Sequence, residues 1–266
     1  MSTGAAAGVI GSLSSAKIAI VGGWFVVLAL AERLRPAAPR PPHSDRPRLV
    51  RNLGLWGANT LINPLIILPI GVFAVSYDVW TRPEAPFWLM LALDLLLLDL
   101  WVYWWHRANH EWPFLWRFHR VHHLDQFLDS TSAVRFHPGE VLISALARAP
   151  IIILADVALT SIILFDTLLL AATLFHHSNL RLPARFEAAL RWIVVTPSHH
   201  WVHHHVAYED TNSNYATLLT VWDRLFRSWS PHARTPDMRI GAGEAPDAPL
   251  LGLAVAPFKP QPPNAV

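Results

Sequence analysis

Residues 87–123, FWLMLALDLLLLDLWVYWWHRANHEWPFLWRFHRVHH, join a long apolar run to two groups of histidines. The run from 87 to 105 would extend about 28 Å as an α-helix, close to the roughly 30 Å hydrocarbon core of a bilayer. The stretch therefore predicts a membrane helix with imidazoles clustered at one of its ends. The histidines that follow the run are His106, His110, His119, His122 and His123.

The composition also indicates a membrane protein. Of the 266 residues, 53% are apolar and only 15% are charged, which excludes a disordered chain and an ordinary soluble domain. The sequence has no cysteine, and this excludes disulfides, thiolate metal sites and a cysteine nucleophile. Any metal must then be bound by nitrogen and oxygen ligands. The net charge of +2 is too small for a nucleic-acid binder, so no nucleic-acid partner is expected.

Three further apolar runs predict the rest of the membrane part. Residues 16–30 lack the basic region and the cleavage site of a signal peptide, so we expect a retained span. Residues 53–75 predict a second span with kinks at Pro64 and Pro69. Residues 141–175 are too few for two full spans with a turn, and we expect a hairpin of short or re-entrant helices there.

Thirteen of the fifteen histidines fall between residues 106 and 205, and eight of them form three clusters with helical spacing. Offsets of three and four residues place side chains on one face of a helix, so each cluster directs its imidazoles one way. Eight converging rings exceed what one ion coordinates, and this predicts two metal ions. The clusters are His106-x-x-x-His110, His119-x-x-His122-His123 and His200-x-x-His203-His204.

Asp99 and Tyr103 share the helix face of His106 and His110. An ionisable residue inside a span is a functional candidate. Two roles stay open for Asp99: it orients a ligand imidazole as an outer-shell partner, or it pairs one helix with another.

The predicted fold is all-α: a multi-pass integral membrane bundle of about four spans or half-spans, with a cytosolic helical cap that holds a histidine-rich dimetal site. We divide the chain into an N-terminal span with an Arg/Pro-rich loop (residues 1–52), a membrane and metal domain (53–230) and a proline-rich tail (231–266). The tail is expected to be extended and poorly structured. Residues 183–195 predict an amphipathic helix that lies on the bilayer surface.

The arginines predict the orientation of the spans, because basic residues near helix ends stay on the cytoplasmic side. The loops after the first span, after the third span and after the hairpin are rich in arginine, whereas the loop between the second and third spans has only Arg82 against Asp78 and Glu84. These arginine-rich loops fall on one side together with nearly all histidines. We expect a bacterial inner-membrane protein with a cytoplasmic histidine cluster, the near absence of lysine being typical of some bacterial genomes.

Together with further motifs, the histidine clusters resemble the sterol desaturase and fatty acid hydroxylase superfamily of integral membrane di-iron enzymes. The resemblance covers roughly residues 50–230. The motifs are Asp99…Tyr103…His106-Arg107…His110, His119-x-x-His122-His123, His137-Pro-Gly-Glu140, His177-Ser-Asn179-Leu-Arg-Leu-Pro183, Pro197-x-x-His200-x-x-His203-His204 and Asn214-Tyr215…Trp222-Asp223-Arg224-Leu-Phe226.

This resemblance implies a site with two iron ions that uses O2 as a co-substrate to hydroxylate or desaturate a lipid. Thr173 stands where relatives have a histidine, so His176 is an alternative to His177 as a ligand. His199 and His205 leave the register of the last cluster open, and His137 is a possible outer-shell residue. The implied ligands are His106, His110, His119, His122, His123, His177, His200, His203 and His204.

An O2-reducing monooxygenase needs two electrons per turnover, yet the sequence has no glycine-rich dinucleotide loop and nothing like a flavin or haem domain. We therefore expect a separate electron-transfer protein, a ferredoxin or a cytochrome b5-like protein with its reductase. Two other functions stay open. Histidine suits Zn2+ equally well, which would make a membrane zinc hydrolase, and a histidine-rich metal transporter or sensor is the non-enzymatic alternative. Which lipid is the substrate is not predicted.

Overall fold

The computed structural model describes residues 3–40, 45–77, 79–243 and 245–260, and in these residues it shows helices but no β-strand. The prediction of an all-α fold is therefore confirmed. The α-helices are α1 (Thr3–Leu34), α2 (Asp45–Ile62), α3 (Leu68–Ser76), α4 (Phe87–Glu111), α5 (Pro113–His123), α6 (Pro138–Ala155), α7 (Leu159–His177), α8 (Ala184–Leu190), α9 (Pro197–His203), α10 (Tyr208–Thr211), α11 (Val221–Leu225) and α12 (Leu250–Val255).

Four helical segments in the described residues are long and apolar enough to cross a membrane. They expose large apolar side chains, such as Leu65 and Trp88, each 75% exposed. Surfaces of this kind are stable in lipid, where no hydrophobic penalty opposes their exposure. The segments are Arg46–Ser76, Phe87–Glu111, Pro138–Ala155 and Leu159–His177.

The first predicted span lies within α1, a helix of 32 residues. Its indole at Trp24 donates a hydrogen bond to the carbonyl of Ala171 on α7 at 3.0 Å. Leu28 of α1 also packs in one buried cluster with Leu174 of α7. These contacts hold α1 against the helix that ends at the histidine cluster.

The second span contains a helical irregularity where proline was predicted to kink it. Helices α2 and α3 are joined by a π-helical turn, Asn63–Ile67, which includes Pro64. Proline cannot donate the backbone hydrogen bond of a regular helix, and a wider turn accommodates its ring. Pro69 lies in the first turn of α3, where a missing N–H costs little.

Helices α6 and α7 form the predicted hairpin, but neither is a short helix. Their 18 and 19 residues are each long enough for a span, because both extend beyond the apolar run from 141 to 175 into polar residues. A tight turn joins them, and in it Asp156 adopts a left-handed conformation with φ 49°. The expectation of short helices was wrong because it counted apolar residues only.

Residues 178–243 and 245–260, together with α5, build the cap at the histidine end of the spans. The predicted surface helix from 183 to 195 is shorter than expected, since α8 ends at Leu190 and Ile193 follows in a turn. Its polar face is not entirely turned to solvent either. Glu187 is buried and accepts a hydrogen bond from the backbone N–H of Ser198 at 2.9 Å.

The proline-rich segment after residue 231 is not an extended tail over the part that the structure describes. Its helix α12 packs Leu253 in a buried cluster with Leu55 and Trp116. Asp247 forms an ion pair with the buried guanidinium of Arg135 at 2.5 Å. The prediction of a poorly structured segment was wrong for residues 231–243 and 245–260, because composition does not report such long-range contacts.

Candidate metal centre

Nine buried histidines converge at the cap end of α4 and α7 and form two groups. Within each group, the nitrogens that could bind a metal all lie within 4.8 Å of one another. The rings of His123 and His204, from different groups, stack with centroids 4.1 Å apart, so the groups are adjacent. The first group is His106, His110, His119, His123 and His203, and the second is His122, His177, His200 and His204.

These are the nine residues that the family resemblance implies as ligands. They lie at the end of α4, in the C-terminal half of α5, at the end of α7, and in α9 with the residue after it. Pro113 and Pro197 stand in the first turns of α5 and α9, where proline favours helix initiation. The structure brings the predicted set together, and their role as metal ligands stays a prediction.

Hydrogen bonds fix the ring orientation of five of these histidines. In each, Nδ1 faces an oxygen that can only accept, so Nδ1 carries the proton. The lone pair is then on Nε2, which points into the cluster. The contacts are His106 to the Tyr215 carbonyl (2.7 Å), His119 to Glu140 Oε1 (2.7 Å), His122 to the Arg135 carbonyl (3.2 Å), His177 to the Thr173 carbonyl (2.8 Å) and His203 to the Ser213 carbonyl (2.7 Å).

This arrangement fits bound cations. The Nε2 atoms of His122 and His177 are 3.0 Å apart, yet both are acceptors once their Nδ1 atoms are protonated. Two lone pairs repel at this distance unless a cation lies beside them. In the first group, both ring nitrogens of His110 and His123 and Nε2 of His119 and His203 are buried and have no hydrogen-bond partner among the residues that the structure describes. Such unsatisfied groups are costly, and metal coordination would satisfy them.

The protonation state of the cap histidines also suits metal binding. Burial, reinforced by neighbouring imidazoles, holds the pKa of His122, His123, His200 and His204 well below the ordinary value. Burial and nearby histidines likewise lower the pKa of His203. These side chains are therefore neutral near pH 7, and the neutral imidazole is the form that binds metals.

Glu140 is a site residue that the sequence analysis did not single out from its motif. Its carboxylate is buried and accepts the Nδ1 proton of His119. A carboxylate in this position orients the ring and raises its basicity as a ligand. Its signal in the sequence is the motif His137-Pro-Gly-Glu140, which places a carboxylate three residues after a histidine.

His137 itself contacts none of the nine clustered histidines through a described hydrogen bond. Its Nδ1 accepts the backbone N–H of Gly139 at 2.9 Å, and its Nε2 donates to the carbonyl of Ala254 at 3.0 Å. It is the N-cap of α6. The outer-shell role considered for His137 is therefore indirect, because it holds the turn that presents Glu140.

Asp99 pairs helix α4 with the cap rather than with an imidazole. Its carboxylate accepts hydrogen bonds from the indole of Trp222 at 2.8 Å and from the backbone N–H of Leu219 at 3.2 Å. Tyr103, one turn further on, shares a hydrogen bond with Ser228 at 2.7 Å. These contacts hold the loop whose Tyr215 carbonyl orients His106. Of the two roles considered for Asp99, the contacts favour helix pairing.

His176, His199 and His205, the alternative ligands, lie outside both groups. His199 Nε2 bonds to Asp223 at 3.0 Å, and His205 Nδ1 bonds to Asp210 at 2.8 Å. His176 packs its ring against His200, with centroids 4.1 Å apart, and its Nδ1 is buried without a hydrogen-bond partner. His177, not His176, is the member of the second group.

A cavity of about 470 Å³ opens onto the histidines from between the spans. Its wall is largely apolar and includes Trp101, Trp105 and Leu169, while His106 and His177 lie at one end. A volume of this size is typical of small-molecule sites.

A helical membrane bundle with nine buried, converging histidines at one end defines a class: integral membrane proteins with a histidine-rich centre able to bind two metal ions. Comparison with known sequences identifies the family within this class. The profile of the fatty acid hydroxylase family matches residues 91–228, and the chain belongs to this family.

Individual relatives match different shares of the chain. It is 30% identical to alkylglycerol monooxygenase of Danio rerio over 141 residues, which are 53% of this chain and 30% of that protein. It is 28% identical to the ornithine lipid hydroxylase OlsE of Rhizobium tropici over 197 residues, 73% of this chain and 58% of the relative. It is 30% identical to a cholesterol 25-hydroxylase-like protein of Danio rerio over 182 residues, 65% of this chain and 68% of the relative.

The chain thus matches less than a third of the length of the alkylglycerol monooxygenase from Danio rerio. No solved structure is significantly similar to it.

Proposed function

We propose that the protein is a membrane-bound oxygenase that uses O2 to hydroxylate or desaturate an unactivated C–H bond of a lipid. The observation that carries the proposal is the set of nine buried histidines in two adjacent groups, five of which direct their Nε2 lone pairs into the cluster. Membership of the fatty acid hydroxylase family supports the choice of reaction. The relatives described above are named as an alkylglycerol monooxygenase, an ornithine lipid hydroxylase and a cholesterol 25-hydroxylase-like protein.

In this proposal, the five histidines of the first group hold one iron ion and the four of the second group hold another. When bound, the pair of irons supplies the reduction of O2 and the abstraction of hydrogen from carbon. Glu140 and the backbone carbonyls keep the Nδ1 protons in place, so the ligand rings do not turn. The apolar cavity wall at Trp101 and Trp105 binds the hydrocarbon and excludes water from the reacting carbon.

The stoichiometry requires an external reductant. Hydroxylation places one oxygen atom of O2 in the product and the other in water, and this consumes two electrons and two protons. We propose that a ferredoxin or a cytochrome b5-like protein with its reductase supplies the electrons. The histidine end of the bundle faces the cytoplasm of a bacterial inner membrane in this proposal, where such a donor has access.

The metal content tests the proposal against its alternatives. We expect anaerobically purified protein to bind two iron ions per chain, and a strain that carries the gene to accumulate a lipid heavier by one oxygen or lighter by two hydrogens. Retention of stoichiometric zinc after iron reconstitution, with hydrolysis as the only activity, would replace this function with that of a zinc hydrolase. Metal uptake by vesicles without any lipid product would indicate a transporter.

A further inference from the structure

The cavity contains a charged pair far from the histidines, and the function proposed above does not use it. Arg148 on α6 and Asp166 on α7 both line the cavity, and Arg148 Nη1 donates to Asp166 Oδ1 at 2.7 Å. Arg148 follows Glu140 by eight residues on the same helix, which places the two about 12 Å apart along the helix axis. The pair therefore lies within the spans, away from the metal groups.

Of the three guanidinium nitrogens of Arg148, only Nη1 donates a hydrogen bond in the described residues. Nε and Nη2 of Arg148 are buried and have no hydrogen-bond partner in the residues that the structure describes. Nε and Nη2 form the edge with which arginine binds both oxygens of a carboxylate or phosphate. Leaving these donors unsatisfied in a cavity within the membrane is costly.

The charges around the cavity favour an anionic ligand. Apart from histidine, its ionisable lining residues are Lys17, Glu140, Arg148 and Asp166. Glu140 is bonded to His119, and Asp166 is bonded to Arg148. The described residues form no ion pair with Lys17. With Glu140 set apart beside His119, the other ionisable lining residues, Lys17, Arg148 and Asp166, carry one more positive than negative charge.

We propose that Arg148 is a specificity-determining residue that binds the oxyanion, a carboxylate or a phosphate, of an amphiphilic lipid whose hydrocarbon extends to the histidines. This inference rests on the proposed function, because it assigns the substrate class of that site. Lys17 contributes the second positive charge.

Ligand competition tests this assignment without turnover. The full-length, metal-loaded protein is placed in phosphatidylcholine nanodiscs, and energy transfer from its tryptophans to cis-parinaric acid reports binding. Oleate, methyl oleate, oleyl alcohol and oleoyl lysophosphatidate then compete with this probe. We expect oleate or lysophosphatidate to compete about 10-fold or more better than the uncharged lipids, as for hydrogen bonds to charged groups. The better of the two identifies the oxyanion as a carboxylate or as a phosphate.

Arg148→Met is expected to remove this preference, and Arg148→Lys to retain part of it. Arg82→Met is the matched control, because Arg82 pairs with Asp94 outside the cavity and has a side-chain exposure of 18% against 16% for Arg148. Equal competition by charged and uncharged lipids in the unmodified protein would overturn the inference, as would an undiminished preference in Arg148→Met. If Arg148→Met misfolds, Arg148→Gln takes its place, because a neutral amide should lose the preference in the same way.

Failure of this inference can be distinguished from failure of the proposed oxygenase function. A protein that binds two irons and oxidises a lipid but shows no preference for oxyanions contradicts only this inference. A protein that prefers oxyanions but binds no iron contradicts only the proposed function.

Discussion

At the scale of single residues, the candidate metal centre depends on where five imidazoles carry their protons. Four of the five Nδ1 acceptors are backbone carbonyls, which no side-chain substitution removes. Glu140 is the exception, since its side chain accepts the Nδ1 proton of His119. A substitution of Glu140 therefore tests directly what orients the His119 ring.

We expect Glu140→Gln to lower metal affinity by about 10-fold or more, the range found for outer-shell partners of ligating histidines. The amide oxygen still accepts the Nδ1 proton, but the negative charge that increases the basicity of His119 is lost. Metal competition with a chelator at equilibrium measures the change. Glu111→Gln is the control, because Glu111 is an exposed carboxylate that pairs with Arg107. Equal affinity in the two variants would contradict a role for Glu140.

Two consecutive histidines provide a second test. His204 is fully buried in the second group, whereas the adjacent His205 bonds to Asp210 and lies outside both groups. We expect His204→Ala to reduce bound metal from two ions to one or none, because no described side chain replaces the lost nitrogen. His205→Ala should retain both ions. Elemental analysis of the purified variants distinguishes them, and a full metal complement in His204→Ala would remove this residue from the ligand set.

At the scale of secondary structure, the first turn of α6 positions Glu140. His137 caps this turn, Pro138 begins it, and Gly139 allows the helix to approach α5 closely. A Cβ atom at position 139 would come within 2.7 Å of the Phe118 ring and 3.0 Å of His137 Nδ1. Phe118 is buried against His137 and Phe258, so its ring has little room to move. The motif thus supplies close packing as well as a carboxylate.

Gly139→Ala should destabilise the protein by about 1–3 kcal/mol, the usual cost of overpacking. For a chain of this size, each kcal/mol corresponds to roughly 2–4 °C in melting temperature. Thermal denaturation in detergent measures the shift. Gly57→Ala is the control, because a Cβ on that helical glycine meets nothing within 4 Å and should stabilise the helix slightly. A melting temperature that is unchanged in Gly139→Ala would contradict the close-packing argument.

At the scale of the whole molecule, helical spacing predicted which histidines converge, because an offset of three or four residues fixes a common face. It could not predict their division into two groups. His122 and His123 are neighbours in sequence but belong to different groups, as do His203 and His204. This division depends on how α5 and α9 pack against α4 and α7. The folding back of the C-terminal segment was missed for a similar reason, since the Asp247–Arg135 ion pair joins residues far apart in sequence.

The orientation of the protein in the membrane can be tested by labelling single cysteines at the two ends of the bundle. Arg46 and Glu209 lie near the histidine end and Glu84 lies in the loop between α3 and α4, and all three are exposed. The sequence has no cysteine, so each single-cysteine variant carries one reactive thiol. Because arginine-rich loops stay in the cytoplasm, a membrane-impermeant maleimide should label Glu84→Cys in intact cells. Arg46→Cys and Glu209→Cys should react only after permeabilisation, and the reverse pattern would place the histidines on the outer face, away from any cytoplasmic electron donor.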